Sequence, residues 1–224
     1  MSLRLTVLAV AMTACTFCMA QDSLRIAQAK NVIPRHAIKF SPFHLLSFYP
    51  TVQLAYEAKV APLITIQFDG GIVVDTYNNN SDFKDKRGYK IKVEPRYYVM
   101  IGERSKMGWY LAAELYRNAI DFERSSDETE CFDQDCLNRF TRRYTYRVDY
   151  REHGLALKFG FVKHFHPFLL DVSSGFAVRF IDYSAPSYVT LERQDAGFLF
   201  EVPIVADRTG FAPVINFRIG YRIP

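Results

Sequence analysis

In this chain of 224 residues, 49 % of them hydrophobic, no stretch beyond the N-terminus approaches the roughly 18 consecutive apolar residues of a membrane-spanning helix, so any crossing must use strands. The formal net charge of +4 is a mild excess that speaks against a nucleic-acid partner.

At the N-terminus, Arg4 precedes the apolar run Leu5 to Met12, and small residues lead to the Ala20/Gln21 junction, the layout of a cleavable secretory signal. A cut after Ala20 divides the chain into a signal peptide over 1–20, a periplasmic segment over 21–35 and a β-barrel domain over 36–224. Losing Arg4 lowers the formal charge from +4 to +3. A rival reading takes Met12-Thr13-Ala14-Cys15 as a lipoprotein box with Cys15 lipidated, although Met fits its first position poorly. Cleavage also removes Cys15 and Cys18, leaving Cys131 and Cys136 as the thiols of an exported protein. Two cysteines this close in an oxidising compartment point to one short-loop disulfide. Reduced or loosely metal-bound thiols are the alternative, and no histidine lies near to complete a metal set.

Residues Asp22 to Asn31 are the one stretch suited to a short helix. Beyond them the hydrophobic period is two. From Ile64, one face carries Ile64, Ile66, Phe68, Ile72 and Val74 and the other Thr65, Gln67, Asp69 and Asp75. Next, Tyr89, Ile91, Val93, Tyr97 and Val99 alternate with Lys90, Lys92, Glu94, Arg96 and Tyr98; four ionisable residues on one face do not make a soluble core. Phe168, Leu170, Val172, Phe176, Val178 and Phe180 oppose Asp171, Ser173, Ala177 and Arg179, and Ile215, Phe217, Ile219 and Tyr221 oppose Asn216, Arg218 and Arg222. Strands are therefore predicted at about 36–46, 50–60, 62–77, 88–100, 108–123, 144–163, 166–183 and 212–223. Several are about twice the usual soluble length of five or six residues, as strands tilted across a bilayer would be.

The intervals alternate in length. Turns near Ala61-Pro62, Gly102 to Met107 and His164 to Pro167 are brief, whereas Asn78 to Arg87, Arg124 to Arg143 and Ser184 to Phe211 are long and polar. Short periplasmic turns with longer outer loops are the habit of outer-membrane barrels. The predicted fold is thus an all-β, antiparallel, up-and-down transmembrane β-barrel of about eight strands. A further hairpin over Tyr188 to Glu192 and Phe198 to Val205 would make ten. Between Tyr150 and Leu155 the apolar parity switches, and a bulge near Gly154 would restore it. Aromatic residues gather at segment ends, among them Trp109 and Tyr110, read either as an interfacial girdle or as plain β-propensity.

The segments Ile38-Lys39-Phe40-Ser41-Pro42-Phe43, Leu54-Ala55-Tyr56-Glu57, Glu94-Pro95-Arg96-Tyr97-Tyr98 and Gly220-Tyr221-Arg222-Ile223 carry a resemblance to the small outer-membrane β-barrel superfamily of Gram-negative bacteria. Within it, the chain resembles a branch described as a domain of unknown function. The resemblance implies an outer-membrane location, lipid as surroundings, and insertion by the barrel-assembly machinery. In that superfamily the last strand serves as an assembly signal and commonly ends in an aromatic residue; Ile223-Pro224 departs from that pattern.

The parity assigns Glu57, Lys59, Asp69, Lys90, Lys92, Glu94, Arg96, Glu114, Lys158, Asp171, Arg179, Arg218 and Arg222 to the barrel interior. An eight-stranded barrel is just wide enough to be filled by side chains, and buried charges persist when paired, so a salt-bridged plug is the plain reading. A narrow pore or a ligand-binding barrel is the alternative. A lipid-modifying outer-membrane enzyme is a second one, with His36, His44, His153, His164, His166, Ser173 and Ser174 to consider. None of these sits in a nucleophile motif or completes a metal set, so no catalytic residue, metal or cofactor is expected. A surface partner is the third possibility, through the loop from Asp127 to Arg143. A soluble calyx of lipocalin type shares the strand number but requires an apolar interior.

Overall fold

Ile64–Val73 is paired on both edges, from Thr51↔Val73 to Ala61↔Ile64 on one side and from Ile64↔Tyr97 to Ile72↔Tyr89 on the other, and the period-two pattern gives it one face for a lumen and one for the exterior. The computed structural model describes residues 32–46, 49–75, 83–131, 139–184 and 208–223. Eight strands follow in order: β1 His36–Phe40, β2 Thr51–Ala61, β3 Ile64–Val73, β4 Phe83–Gly102, β5 Met107–Cys131, β6 Arg139–Phe165, β7 Phe168–Ser184 and β8 Arg208–Ile223. Each pairs antiparallel with the next, and β8 returns to β1 through the register His36↔Ile223 to Phe40↔Ile219. The sheet is a closed up-and-down barrel of eight strands.

The short connections 62–63, 103–106 and 166–167 share one end, where β1 begins and β8 finishes. The other four connections lie at the opposite, long-loop end. β7 pairs directly with β8 from Phe168↔Tyr221 to Ile181↔Arg208, so the ring closes without another hairpin. Positions 188–192 and 198–205 lie outside the described residues, as do the 22–31 segment and the 1–20 segment.

Three expectations are corrected. The first strand stops at Phe40 rather than running to residue 46, and Pro42–Leu46 forms a 3-10 helix. Pro42 has no N–H for a ladder, and the turn lays Phe43 on the exterior against Phe217, ring centroids 4.9 Å apart. The long polar loop expected from 124 is largely strand: β5 and β6 continue as a ribbon, with Asp127 opposite Arg143 and Glu128 opposite Arg142. Opposite charges across a ladder favour this extension, and Arg143 Nε lies 3.6 Å from Asp127 Oδ1.

The third correction concerns Gly154. The register runs without a shift through Tyr116↔Gly154 and Gly154↔Arg179, so no bulge exists there. Tyr146, Val148 and Tyr150 instead keep the inward parity and are buried, while Arg147, Asp149 and Arg151 take the exterior. The face does not change; its composition does. Irregularities occur elsewhere, and one between Tyr98 and Met100 turns Met100 outward while Ile101 packs inside.

The resulting distribution is inverted relative to a soluble protein. Phe176, Ile72 and Leu157 are 72 %, 69 % and 67 % exposed, whereas Arg96, Asp171 and Arg218 are at most 1 % exposed. Burial of apolar side chains ordinarily drives folding, and here the large apolar side chains line the outside of the sheet while the charged ones fill its inside.

Candidate functional site

The lumen is layered along the barrel axis. At the short-turn end, Ile33 enters the mouth just before β1 and packs with Tyr98, Tyr110, Val162 and Leu169, flanked by Leu63 and Ile101. This apolar cluster closes that mouth with side chains from both the N-terminal segment and the strand ends.

Above it lies a charged network drawn from all eight strands. Lys39 Nζ on β1 sits 2.5 Å from Glu57 Oε2 on β2 and 2.6 Å from Asp171 Oδ2 on β7. Arg96 on β4 donates from Nη1 to Asp171 Oδ2 at 2.7 Å and from Nε to Glu94 Oε1 at 2.7 Å. Lys158 on β6 bridges Glu94 and Glu114, with Glu114 at 2.5 Å. Arg218 on β8 donates from Nη2 to Asp69 Oδ2 at 3.0 Å and to Glu94 Oε2 at 3.3 Å.

Neutral donors complete the carboxylates. Thr65 and Tyr98 donate to Glu57 Oε1 at 2.5 and 3.1 Å, and Tyr110 donates to Asp171 Oδ1 at 2.6 Å while its ring lies 4.4 Å beneath the Arg96 guanidinium. Asp171 is therefore the hub, accepting from Lys39, Arg96 and Tyr110. In a medium of low polarity such charge-assisted bonds are strong, and losing one partner leaves the other charge stranded.

Further along, Glu152 accepts from Tyr150 at 2.7 Å, Tyr116 at 3.0 Å and Asn118 at 3.2 Å, with Arg179 Nε at 4.0 Å. Over this layer, Tyr49, Phe122, Tyr146, Val148, Ile181 and Tyr183 form an apolar and aromatic cluster. Tyr49 holds its centre, with ring centroids 5.7 Å from those of Phe122 and Tyr150.

The structure buries Glu57, Asp69, Lys90, Lys92, Glu94, Arg96, Glu114, Lys158, Asp171 and Arg218, all assigned to the interior from parity. Lys59, Arg179 and Arg222 are half-buried, with Lys59 and Arg222 near the short-turn end. Sequence reasoning missed Lys39, flanked by the outward Ile38 and Phe40, although alternation alone marks it. It also missed Glu152, because the assumed bulge at Gly154 reversed its parity. Cys131 ends β5, and the expected pairing with Cys136 lies outside the described residues.

The carboxylate oxygens of Asp69, Glu94 and Glu114 lie within 4.8 Å of one another. Arg218 and Lys158 stand among them, so the counter-charge a cation would bring is supplied by the protein itself. The histidines and serines are dispersed. His36 is exterior, with Nδ1 2.7 Å from the Tyr56 hydroxyl, and exterior His153 stacks on Phe180. Ser173 faces the lumen and Ser174 the outside. Nothing in this arrangement indicates catalysis.

No family model matches the chain, and no curated protein matches it.

Proposed function

We propose that the chain is a β-barrel of the outer-membrane type, embedded in lipid with its lumen closed, whose role is structural or exerted at the surface through the long-loop end. The observation that carries this reading is the apolar exterior, which every strand contributes to: Ile38, Leu54, Phe68, Ile91, Leu115, Leu157, Phe176 and Ile215 all point outward and are exposed. Lipid is the medium in which that surface is favourable, and a closed barrel satisfies every strand hydrogen bond without water. A calyx of lipocalin type would distribute its residues the other way.

On this reading the short-turn end faces the periplasm, the β5–β6 ribbon projects outward, the first twenty residues are the export signal and the barrel-assembly machinery inserts the chain. Cation–carboxylate pairs span the lumen between β1, β4, β7 and β8, which favours a plug over a conducting pore. Fractionation tests the reading: the protein should sediment with the outer membrane and resist salt and alkaline washing. Recovery as a soluble periplasmic monomer would overturn it. Export further implies a Cys131–Cys136 disulfide, and thiol labelling of intact cells should find reactive cysteines only after reduction.

A further inference from the structure

The two ends of the barrel differ in charge. At the long-loop end arginines stand beside carboxylates, Arg87 near Asp85, Arg143 near Asp127 and Arg151 near Asp121. The short-turn end is built otherwise. Arg35, Lys59, Arg104, Lys106, Lys163 and Arg222 stand there, and apart from the carboxylates of the buried network Glu103 is the one acidic residue at that end among the described residues. A single carboxylate leaves most of that charge to be met from outside the fold.

The six cations form two groups on opposite sides of the mouth. In the first, Lys59 N donates to Arg35 O at 2.9 Å across the start of the β1–β2 seam, and Arg222 follows on β8 in register with Ala37. Arg35 and Arg222 both repel Lys59. In the second, the turn between β4 and β5 carries Arg104 and Lys106, and Lys106 O accepts from His164 N at 2.9 Å, which brings the end of β6 with Lys163 alongside. Like charges on neighbouring strands are unfavourable, so neither group adds to the stability of the sheet.

Just inside these groups lie the outward aromatic side chains Tyr56, Tyr97, Trp109, Phe168 and Tyr221, contributed by β2, β4, β5, β7 and β8. Aromatic rings with basic side chains beyond them match, in order, the interfacial zone and the anionic headgroups of a lipid leaflet. Cations on both sides of the mouth fit a surface that surrounds the barrel, whereas a protein docking against one side would meet only half of them.

We propose that the short-turn end binds anionic phospholipid headgroups, its two basic groups drawing such lipids into the leaflet around the mouth. The inference rests on the reading of the chain as a lipid-embedded barrel. Each Lys or Arg held at an anionic surface adds an attraction that salt screens. The acidic and basic side chains of the long-loop end, being paired with each other, contribute no comparable preference.

Trp109 is the only tryptophan of the chain and lies outward on β5 next to the second basic group, so its fluorescence reports the lipid in contact there. The folded chain is reconstituted in vesicles of equimolar phosphatidylglycerol and phosphatidylcholine, with brominated, quenching acyl chains on one lipid or on the other. Brominated phosphatidylglycerol should quench Trp109 severalfold more effectively than brominated phosphatidylcholine at low salt, and the difference should shrink as salt rises. The triple variant Arg104→Gln, Lys106→Gln, Lys163→Gln should lose the preference. If it fails to fold, Arg104→Gln alone, at an exposed turn position, should reduce it. Equal quenching by the two lipids, or a preference unchanged in the folded variant, would overturn the proposal while leaving the embedded barrel standing. Absence of quenching by either lipid would instead remove Trp109 from lipid and sink the embedded reading together with this one.

Discussion

Asp171 and Arg87 both belong to ion pairs, yet their surroundings give the two pairs opposite weights. Asp171 is fully buried and faces Lys39 and Arg96 at 2.6 and 2.7 Å, whereas Arg87 lies 3.8 Å from Asp85 with 75 % and 60 % of their side chains exposed. Solvent screens the exposed pair, which contributes below about 1 kcal/mol. Replacing Asp171 takes one of its carboxylate partners from each of two buried cations and leaves the network with less counter-charge, a loss of about 3–5 kcal/mol. Asp171→Asn should therefore lower the denaturant midpoint of the folded barrel strongly, while Arg87→Ala should leave it nearly unchanged. Equal midpoints for the two variants would show that the network is not the structural core. The same reasoning explains why Tyr110 is fully buried: its hydroxyl completes Asp171 and its ring carries the Arg96 guanidinium.

Among the elements, the β5–β6 pair stands apart, because its 25 and 27 residues outrun every neighbour. β4 pairs with β5 only as far as Arg124 and β7 pairs with β6 only as far as Asp149, so the ladder beyond Ser125↔Thr145 rests on the two strands alone among the described residues. An isolated two-stranded ribbon is marginal in water, and cross-strand charge contributes about 0.2–1 kcal/mol per pair. Asp127→Lys, which sets like charges opposite each other at Arg143, should accelerate amide exchange over 125–131 and 139–145 and leave β1, β2 and β3 protected. Unchanged exchange in the ribbon would mean that something other than the charge pairing holds it.

For the whole molecule, stability depends on three concentric zones: an apolar exterior, a hydrogen-bonded wall and a charged lumen closed by apolar layers at both ends. Leu157 sits in the middle of the exterior zone and Lys158, its neighbour in sequence, in the middle of the interior one. In a bilayer, Leu157→Arg places a charge in hydrocarbon and should hinder insertion by about 2–4 kcal/mol near the midplane. Heat-modifiability on a detergent gel measures it, since the folded fraction should drop for Leu157→Arg and persist for Leu157→Phe. Equal folded fractions would mean that this exterior does not meet lipid.

The exterior and interior faces were legible in the residues because side chains on a strand alternate with a period of two, so each assignment depends on local order alone. Alternation marked ten buried interior charges on β2 to β8, and length alternation marked which connections share an end. Partnership was not legible. Lys39 meets Asp171 across 132 residues of chain, and that meeting exists only because the ring closes β8 onto β1 with a fixed stagger. Nor did the residues reveal where a lumen turns from charged to aromatic: Tyr146, Val148 and Tyr150 look like an exterior row, and a bulge at Gly154 followed from that appearance. Hydrophobicity favours removal from water without saying on which side of a wall the side chain lies. Tertiary structure decided the matter by surrounding those three side chains with Tyr49, Phe122 and Ile181 from other strands and connections, contacts that no local period encodes.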